Sequence, residues 1–386
     1  MKILHIITSL DPGGAQIMLR KLLHSSDRQY RDVEVISLMG VGLIGEEIQA
    51  MGIPVHSIGM ERSRPSPIKI FRVARLIRKI SPDVIQTWMY HSDLVGSLAA
   101  MLADPRLPVI WGIRHSNLDP HYNNPMTVKI AKLCARLSGY LPKRIICCSK
   151  EAKETHQQIG YDPQKIVIIP NGFELDLFRP DAEARLAVRQ EIGIAPETVV
   201  IGMVARFDPQ KDHQNFVFAA GILAQEYPDV EFVLCGGKMD EQNTRLMDWI
   251  RQAGVEKKVH LLGLRNDVPK IVTAFDIATL SSLGEAFPNV VGEAMACGVP
   301  CVVTDVGDSA MIVGDTGIVT PPQNPLALAT GWAELIEAGP EYREKLGNEA
   351  RNRIKTVFDI KAIAVRYGEV YKEALYGPLS VQWPNE

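Results

Sequence analysis

No Asp-x-Asp pair occurs anywhere in the 386 residues. Enzymes that hold a sugar diphosphate through Mg²⁺ or Mn²⁺ commonly share the ion between phosphate oxygens and such carboxylates. A metal-held diphosphate is therefore not expected, and no cofactor is called for. The six cysteines, Cys134, Cys147, Cys148, Cys235, Cys297 and Cys301, include no Cys-x-x-Cys spacing and sit mostly in apolar surroundings. That excludes a zinc ribbon or a disulfide framework and implies buried, reduced thiols of a cytosolic protein. No apolar run reaches the roughly eighteen residues of a membrane-spanning helix. The apolar opening Met1–Thr8 is too short for a signal peptide, so the expected location is the cytoplasm. Ser-His-Asp spacing and a P-loop are missing too.

What is present is a soluble α/β pattern, long for one core and comfortable for two domains. Short apolar runs alternate with helical-period segments, the signature of parallel α/β units. Strands are expected at Lys2–Thr8, Val33–Leu38, Val55–Ile58, Val84–Thr87, Val109–Arg114, Arg144–Ser149 and Ile166–Ile169. Helices are expected at Ile68–Ile80, Ser92–Leu102 and Val128–Leu137. A second series of strands follows at Val199–Val204, Val230–Cys235, Val259–Leu261, Ile277–Leu280 and Val299–Val303. The segment Phe178–Pro196, which holds Pro180, Pro196 and many charges, is expected to contain the hinge. The reading is two Rossmann-like domains with parallel sheets, 1–178 and 179–357, facing across a cleft. Ligands of such sheets bind beyond the carboxyl ends of the strands.

The loops at those ends carry the candidate chemistry. Glu285-Ala286-Phe287-Pro288-Asn289-Val-Val-Gly-Glu293 sets two carboxylates eight residues apart around a helix start, with Pro288 expected in the first turn. Free N–H groups there suit a phosphate, and the carboxylates suit hydroxyls. Gly13-Gly14 leaves the first strand and enters a helix, so it can wrap a phosphate or a sugar ring through close approach and positive φ. That loop is not the dinucleotide fingerprint, which leaves an NAD site weakly supported. Arg206 and Lys211 place two cations on one post-strand loop, fit to neutralise a departing diphosphate. His115 closes a strand, His91 follows another, and Asn171-Gly172 marks a turn. Gly236-Gly237, Arg265-Asn266-Asp267 and Asp305-Val306-Gly307 end further strands. Each alone reads equally well as a solvated side chain or a structural turn; order and spacing give the set its weight.

These residues, in this order, resemble the retaining GT-B glycosyltransferases of family 4, over nearly the whole chain. One departure is Asp212-His213, where many relatives carry a glycine after the lysine. The resemblance implies a metal-independent hexosyltransferase that moves a sugar from a UDP- or GDP-linked donor to a hydroxyl of a glycan or glycolipid acceptor. It implies that Arg206, Lys211 and the Gly13-Gly14 loop hold the diphosphate and His115 orients the sugar. Glu285 with the Ala286–Asn289 backbone would hold sugar hydroxyls, and Glu293 the ribose. The loops at Gly236 and Arg265 would lie beside the donor, the latter near its base. It also implies that the last helix, Phe358–Leu375, crosses back to the first domain. A nucleotide-sugar epimerase or hydrolase of the same fold, or a non-catalytic partner subunit, are the alternatives.

Charge is asymmetric. Residues 1–180 hold 23 Lys+Arg against 16 Asp+Glu, and the remainder 19 against 29. Arg62, Arg64, Lys69, Arg72, Arg75, Arg78 and Lys79 interleave with apolar residues. A second basic segment runs through Lys129, Lys132, Arg136, Lys143 and Arg144. These could rest on an anionic membrane surface at the inner face of the cell membrane or be solvated faces of sheet-packing helices. No nucleic-acid partner is expected.

Overall fold

The structure is a computed structural model that describes residues 1–25, 32–61, 67–118 and 124–377. Arg62 and Arg64 lie outside these. The chain divides into two units, residues 1–172 with 360–386, and Phe173–Asp359.

In the first unit the strands are β1 (Lys2–Ile7), β2 (Asp32–Ser37), β3 (Val55–Ser57), β4 (Val84–Trp88), β5 (Val109–Ile113), β6 (Arg144–Cys147) and β7 (Ile166–Ile168). They form one parallel sheet in the order β3-β2-β1-β4-β5-β6-β7. Every residue of β4 and β5 is buried, as befits strands covered on both faces. The order reverses between β1 and β4, which makes their carboxyl ends the expected binding crevice of this sheet. Helix Ile360–Tyr376 returns to this unit, and Ile363, Tyr367, Val370 and Tyr371 enter its core beside Leu19 and Leu22 of helix Gly14–Ser25. The returning helix starts hard against Gly172, where a Cβ would lie 2.6 Å from the Ile360 Cα. The glycine there serves a close backbone approach instead of a simple Asn-Gly turn.

In the second unit β8 (Val200–Val204), β9 (Glu231–Cys235), β10 (Val259–Leu261), β11 (Ile277–Leu280), β12 (Cys301–Thr304) and β13 (Gly317–Thr320) form a second parallel sheet in the order β10-β9-β8-β11-β12-β13. Its core centres on Phe216, Phe232 and Trp332, whose rings meet edge-on or tilted at 5.2–6.1 Å. Strand β13 is not among the expected strands. It is a short, partly exposed edge that opens on a glycine, and it lacks the continuous buried run of its neighbours.

The expected boundary and hinge need correction. Residues 173–178 belong to the second unit: Phe173 N donates to Phe358 O at 2.9 Å, and the Phe173 ring stacks on Phe287 and meets Phe358 edge-on. The segment Phe178–Pro196 lies inside that unit and contains helix Ala182–Glu191. Asp276, just before β11, holds this helix by pairing with Arg185 and the fully buried Arg189, each at 2.6 Å, and by accepting from Val200 N at 2.8 Å. Removing one partner of such a buried pair typically costs about 3–5 kcal/mol, so the segment is anchored and does not act as a hinge.

Candidate active site

The second unit brings its candidates together at the tips of β8, β9, β11 and β12. After β8 the chain runs Ala205-Arg206-Phe207-Asp208 into the 3-10 turn Pro209–Lys211. Asp208 caps this turn, its Oδ1 accepting from Gln210 N at 3.0 Å, while its Oδ2 accepts from Arg206 Nη2 at 3.1 Å. The Arg206 side chain is 73% exposed, so its guanidinium can exchange this carboxylate for a phosphate at little cost. Gly236 makes the loop possible. Its φ is +148°, and a Cβ there would sit 2.1 Å from the Ala205 carbonyl oxygen.

Asp212, next in the chain, adopts the left-handed conformation with φ 45° and ψ 56°, and its carboxylate accepts from Asn215 N to cap helix His213–Glu226. This accounts for the departure from a glycine after the lysine: Asp tolerates the left-handed region and adds a cap.

Lys211 Nζ pairs with Glu285 Oε1, which also accepts from Ser282 Oγ at 2.7 Å. The Glu285 loop is in turn clamped from β12. Gly307, at φ +57°, has room for no side chain because a Cβ would lie 2.4 Å from Glu285 O, and Asp308 N donates to Ala286 O at 3.1 Å. Phe287 is buried against Phe173 and Phe358, so only its backbone is available to a ligand. Helix Asn289–Ala296 follows, with Pro288 at the N-cap position and no side-chain cap. Pro288 thus precedes the first turn and does not lie in it. Its extended backbone, φ −73° and ψ 98°, brings the chain to the helix, and Pro288 itself supplies no capping side chain. Glu293 lies half-buried within this helix. Burial and the nearby Glu293 carboxylate push the Cys297 thiol up to about 12.

Arg265 commits its guanidinium to Asp267, at 2.8 and 2.9 Å, and to Glu191. These hydrogen bonds hold Asp267 and Glu191 below the usual carboxylate range. The arginine therefore shapes its loop.

The first unit's candidates stand on its own strand tips. Gly13 and Gly14 open helix Gly14–Ser25, and neither uses positive φ. A Cβ on Gly14 would meet nothing within 4 Å, whereas one on Gly13 would lie 2.6 Å from Gln16 Oε1, so Gly14 leaves open space and Gly13 makes room for the Gln16 side chain. A Gly-x-Gly-x-x-Gly spacing does occur, at Gly40–Gly45, after β2 and across the start of helix Gly42–Ala50. Sequence reading passed over it. Its glycines are consumed by packing: a Cβ on Gly42 would lie 2.6 Å from the Leu10 main chain, and one on Gly45 would meet Val41 and Leu10. The spacing therefore braces the Leu10 loop and does not cradle a dinucleotide. His91 is the second residue of helix Tyr90–Ala103, preceded by Met89 at φ 73° and ψ 157°, a region that residues with side chains rarely enter. Thr8 and Ser92 hydroxyls meet at 2.9 Å across the switch between β1 and β4. His115 is half-buried just past β5. Its neighbour Arg114 stacks over Trp88 and Tyr367 at 5.1 and 5.7 Å and donates to Asn171 Oδ1 at 2.7 Å.

The second half of the chain, residues 185–353, matches the family model of glycosyl transferases group 1, and residues 12–177 match that of glycosyltransferase family 4. The chain is 27% identical, over 70% of its own length and 70% of the relative's, to the UDP-Gal:alpha-D-GlcNAc-diphosphoundecaprenol alpha-1,3-galactosyltransferase of Escherichia coli. It is 23% identical to the N,N'-diacetylbacillosaminyl-diphospho-undecaprenol alpha-1,3-N-acetylgalactosaminyltransferase of Campylobacter jejuni, over 95% and 98% of the two chains. Among solved structures it superposes on Anabaena Alr3699/HepE in complex with UDP with a TM-score of 0.84 at 24% identity, covering 97% of this chain and 100% of the other. With two matched models spanning most of its length and charged loops assembled as described, the chain belongs to the family 4 glycosyltransferases of GT-B fold.

Proposed function

We propose that this protein transfers a sugar, with retention of anomeric configuration and without a metal ion, from a UDP- or GDP-linked donor to a hydroxyl of a lipid-linked glycan. The observation that carries the reading is the pairing of Lys211 with Glu285, just ahead of helix Asn289–Ala296, on loops fixed by main-chain hydrogen bonds. Arg206 and Lys211 neutralise charge as the bond from the anomeric carbon to the diphosphate breaks. The acceptor oxygen bonds that carbon from the face the diphosphate leaves, and the acceptor proton passes to a leaving phosphate oxygen. Glu285 and the Ala286–Asn289 backbone take sugar hydroxyls, Glu293 the ribose, and the loops at Gly236 and Arg265 lie beside the nucleotide. The roles of Gly13, Gly14 and His115 come from the family resemblance. Lipid-linked acceptors are suggested by the names of the relatives from Escherichia coli and Campylobacter jejuni, both of which act on undecaprenol diphosphate sugars.

Calorimetric titration with UDP, GDP, ADP and their common sugars tests the donor, and activity in EDTA tests metal independence. Binding of none of these nucleotides, or abolition by EDTA, overturns the proposal. Turnover of donor alone to a free sugar or an epimer would reassign the chemistry.

The acceptor chemistry leads us to propose that the enzyme also rests on anionic lipid. Among the described residues no helix is long and apolar enough to cross a membrane. Helices Pro67–Ile80, Tyr90–Ala103 and Pro125–Leu137 pack in succession. The first exposes Ile68 and Phe71 beside Arg72, Arg75 and Lys79, and the third exposes Met126 and Leu133 beside Lys129, Lys132 and Arg136. Arg78 serves structure as well, donating to the last carbonyls of the middle helix, and Arg144 pairs with Glu373 of the returning helix. Co-sedimentation with phosphatidylglycerol vesicles, weakened by salt, is expected; none at low ionic strength removes the idea.

A further inference from the structure

The tip of β11 carries two consecutive serines, both fully buried, and each hydroxyl is spent on a different charged loop. Ser281 Oγ lies 2.9 Å from Lys211 O and 3.1 Å from Asp212 O, and donates to these carbonyls. Ser282 Oγ donates to Glu285 Oε1 at 2.7 Å. The scaffold behind them is closed: Thr304 Oγ1 at the tip of β12 donates to Ser282 O at 2.8 Å, and Leu283 N donates to Gln210 O at 2.7 Å. Neighbouring side chains on extended backbone point to opposite sides, so one dipeptide can serve two loops.

We propose that these serines are positioning residues with divided duties. Ser281 sets Lys211 for the diphosphate, and Ser282 sets Glu285 for the transferred sugar. The inference rests on the donor site read above. Its physical basis is that Lys211 and Glu285 hold each other by a charge pair that a diphosphate must disrupt. When Lys211 turns to phosphate, the carboxylate loses that partner, and the Ser282 hydroxyl keeps Oε1 in place. The Lys211 backbone, in a three-residue turn leading to left-handed Asp212, needs its carbonyls satisfied away from water, and Ser281 does this.

The test compares alanine variants of the full chain by calorimetry and donor kinetics. The probes are UDP with UDP-glucose and UDP-galactose, or the GDP counterparts if the wild type binds GDP. Ser282→Ala is expected to bind the free diphosphate within twofold of wild type, yet to lose about tenfold in affinity for the nucleotide sugar and in kcat. Ser282→Thr, which keeps the hydroxyl, restores most of that loss. Ser281→Ala is expected to weaken the free diphosphate and the nucleotide sugar alike, by about tenfold. If either alanine variant fails to fold, the Cys variant keeps the volume and weakens the hydrogen bond. Equal losses on both ligands from both serines, or a lowered Tm with unchanged ligand affinities, overturns the division of duties. Lys211→Ala serves as the control: if it leaves diphosphate binding intact, the donor-site reading fails and the Ser281 assignment falls with it, whereas a loss there with unchanged serine variants overturns the serine assignment alone.

Discussion

In the first unit His5, Asp93 and His156 are buried against neutral partners, whereas in the second Arg189, Lys211 and Arg265 each meet a carboxylate. His5 accepts from the Trp88 indole at 3.2 Å, Asp93 from the Thr87 hydroxyl at 2.5 Å, and His156 lies 2.8 Å from the Tyr90 hydroxyl. Burial pushes His5 down to about 3, His156 down to about 4 and Asp93 up to about 7. All three are thereby held towards their uncharged forms, which cost least to bury. The second unit keeps its ions charged by pairing them: Arg189 with Asp276 at the amino ends of β8 and β11, Arg265 within its own loop, and Lys211 with Glu285 at the strand tips, where a diphosphate could take over a partner. The difference teaches where charge is structural ballast to be suppressed and where it is kept ready for a ligand.

Breaking the paired side should have the largest effect. Lys211→Ala is expected to lower turnover by at least a hundredfold, in line with about 3 kcal/mol for one group that stabilises developing charge. The lysine side chain is 25% exposed, so the fold should survive with little change in Tm. Steady-state kinetics with thermal denaturation checks both. Near-normal turnover would leave the ion pair a structural contact and dissolve the contrast between the units.

Part of this contrast was legible in the chain and part was not. Arg206 and Lys211 announce themselves because they lie five residues apart on one loop, and Glu285 and Glu293 because they lie eight apart around a helix start. The strands of both sheets show as apolar runs because parallel strands are covered on both faces. Phe173 does not, since its allegiance to the second unit depends on Phe358, far along the chain. Ser281 and Ser282 were passed over because small hydroxyls at the end of an apolar strand carry no pattern until their partners are seen. Arg114 is overshadowed by His115, although the arginine is the residue that lies over both Trp88 and Tyr367. Gly40–Gly45 shows the opposite error: its letters fit a fingerprint, and only packing against Leu10 reveals another use.

The neutral side of the comparison can be sharpened through pH. Asp93 in the folded chain holds its proton up to about 7, while the unfolded chain releases it near the ordinary value of about 3.9. The folded state therefore binds more protons between these values, and this residue makes stability fall as pH rises from about 4 to about 7. His5 and His156 act in the opposite sense. The unfolded chain takes up their protons below about 6.5 while the folded state resists, so stability falls as pH drops through that range. Asp93→Asn should abolish only the first dependence. Urea denaturation should show the variant gaining on wild type, by on the order of 2 kcal/mol, between pH 4.5 and pH 8. A difference that does not vary with pH would mean that Asp93 is ionised in the folded state.

The smallest effect concerns strain on the charged side. Asp212 holds a left-handed backbone where the family resemblance implies glycine, a conformation costing roughly 1–2 kcal/mol for a residue with a side chain. Its carboxylate returns part of this by accepting from Asn215 N at 3.3 Å, and replacing such a cap by glycine loses only a few tenths of a kcal/mol. Glycine also adds freedom to the unfolded chain, worth about 0.4–1 kcal/mol. The terms nearly cancel, so Asp212→Gly should change stability by less than about 1 kcal/mol and leave turnover intact. Asp212→Val offers no cap and adds a branched side chain to the left-handed turn, so it should cost about 2 kcal/mol and weaken diphosphate binding by displacing Lys211. If valine is tolerated as well as glycine, the turn relaxes freely, and the second unit's charges are then not held in place by their backbone.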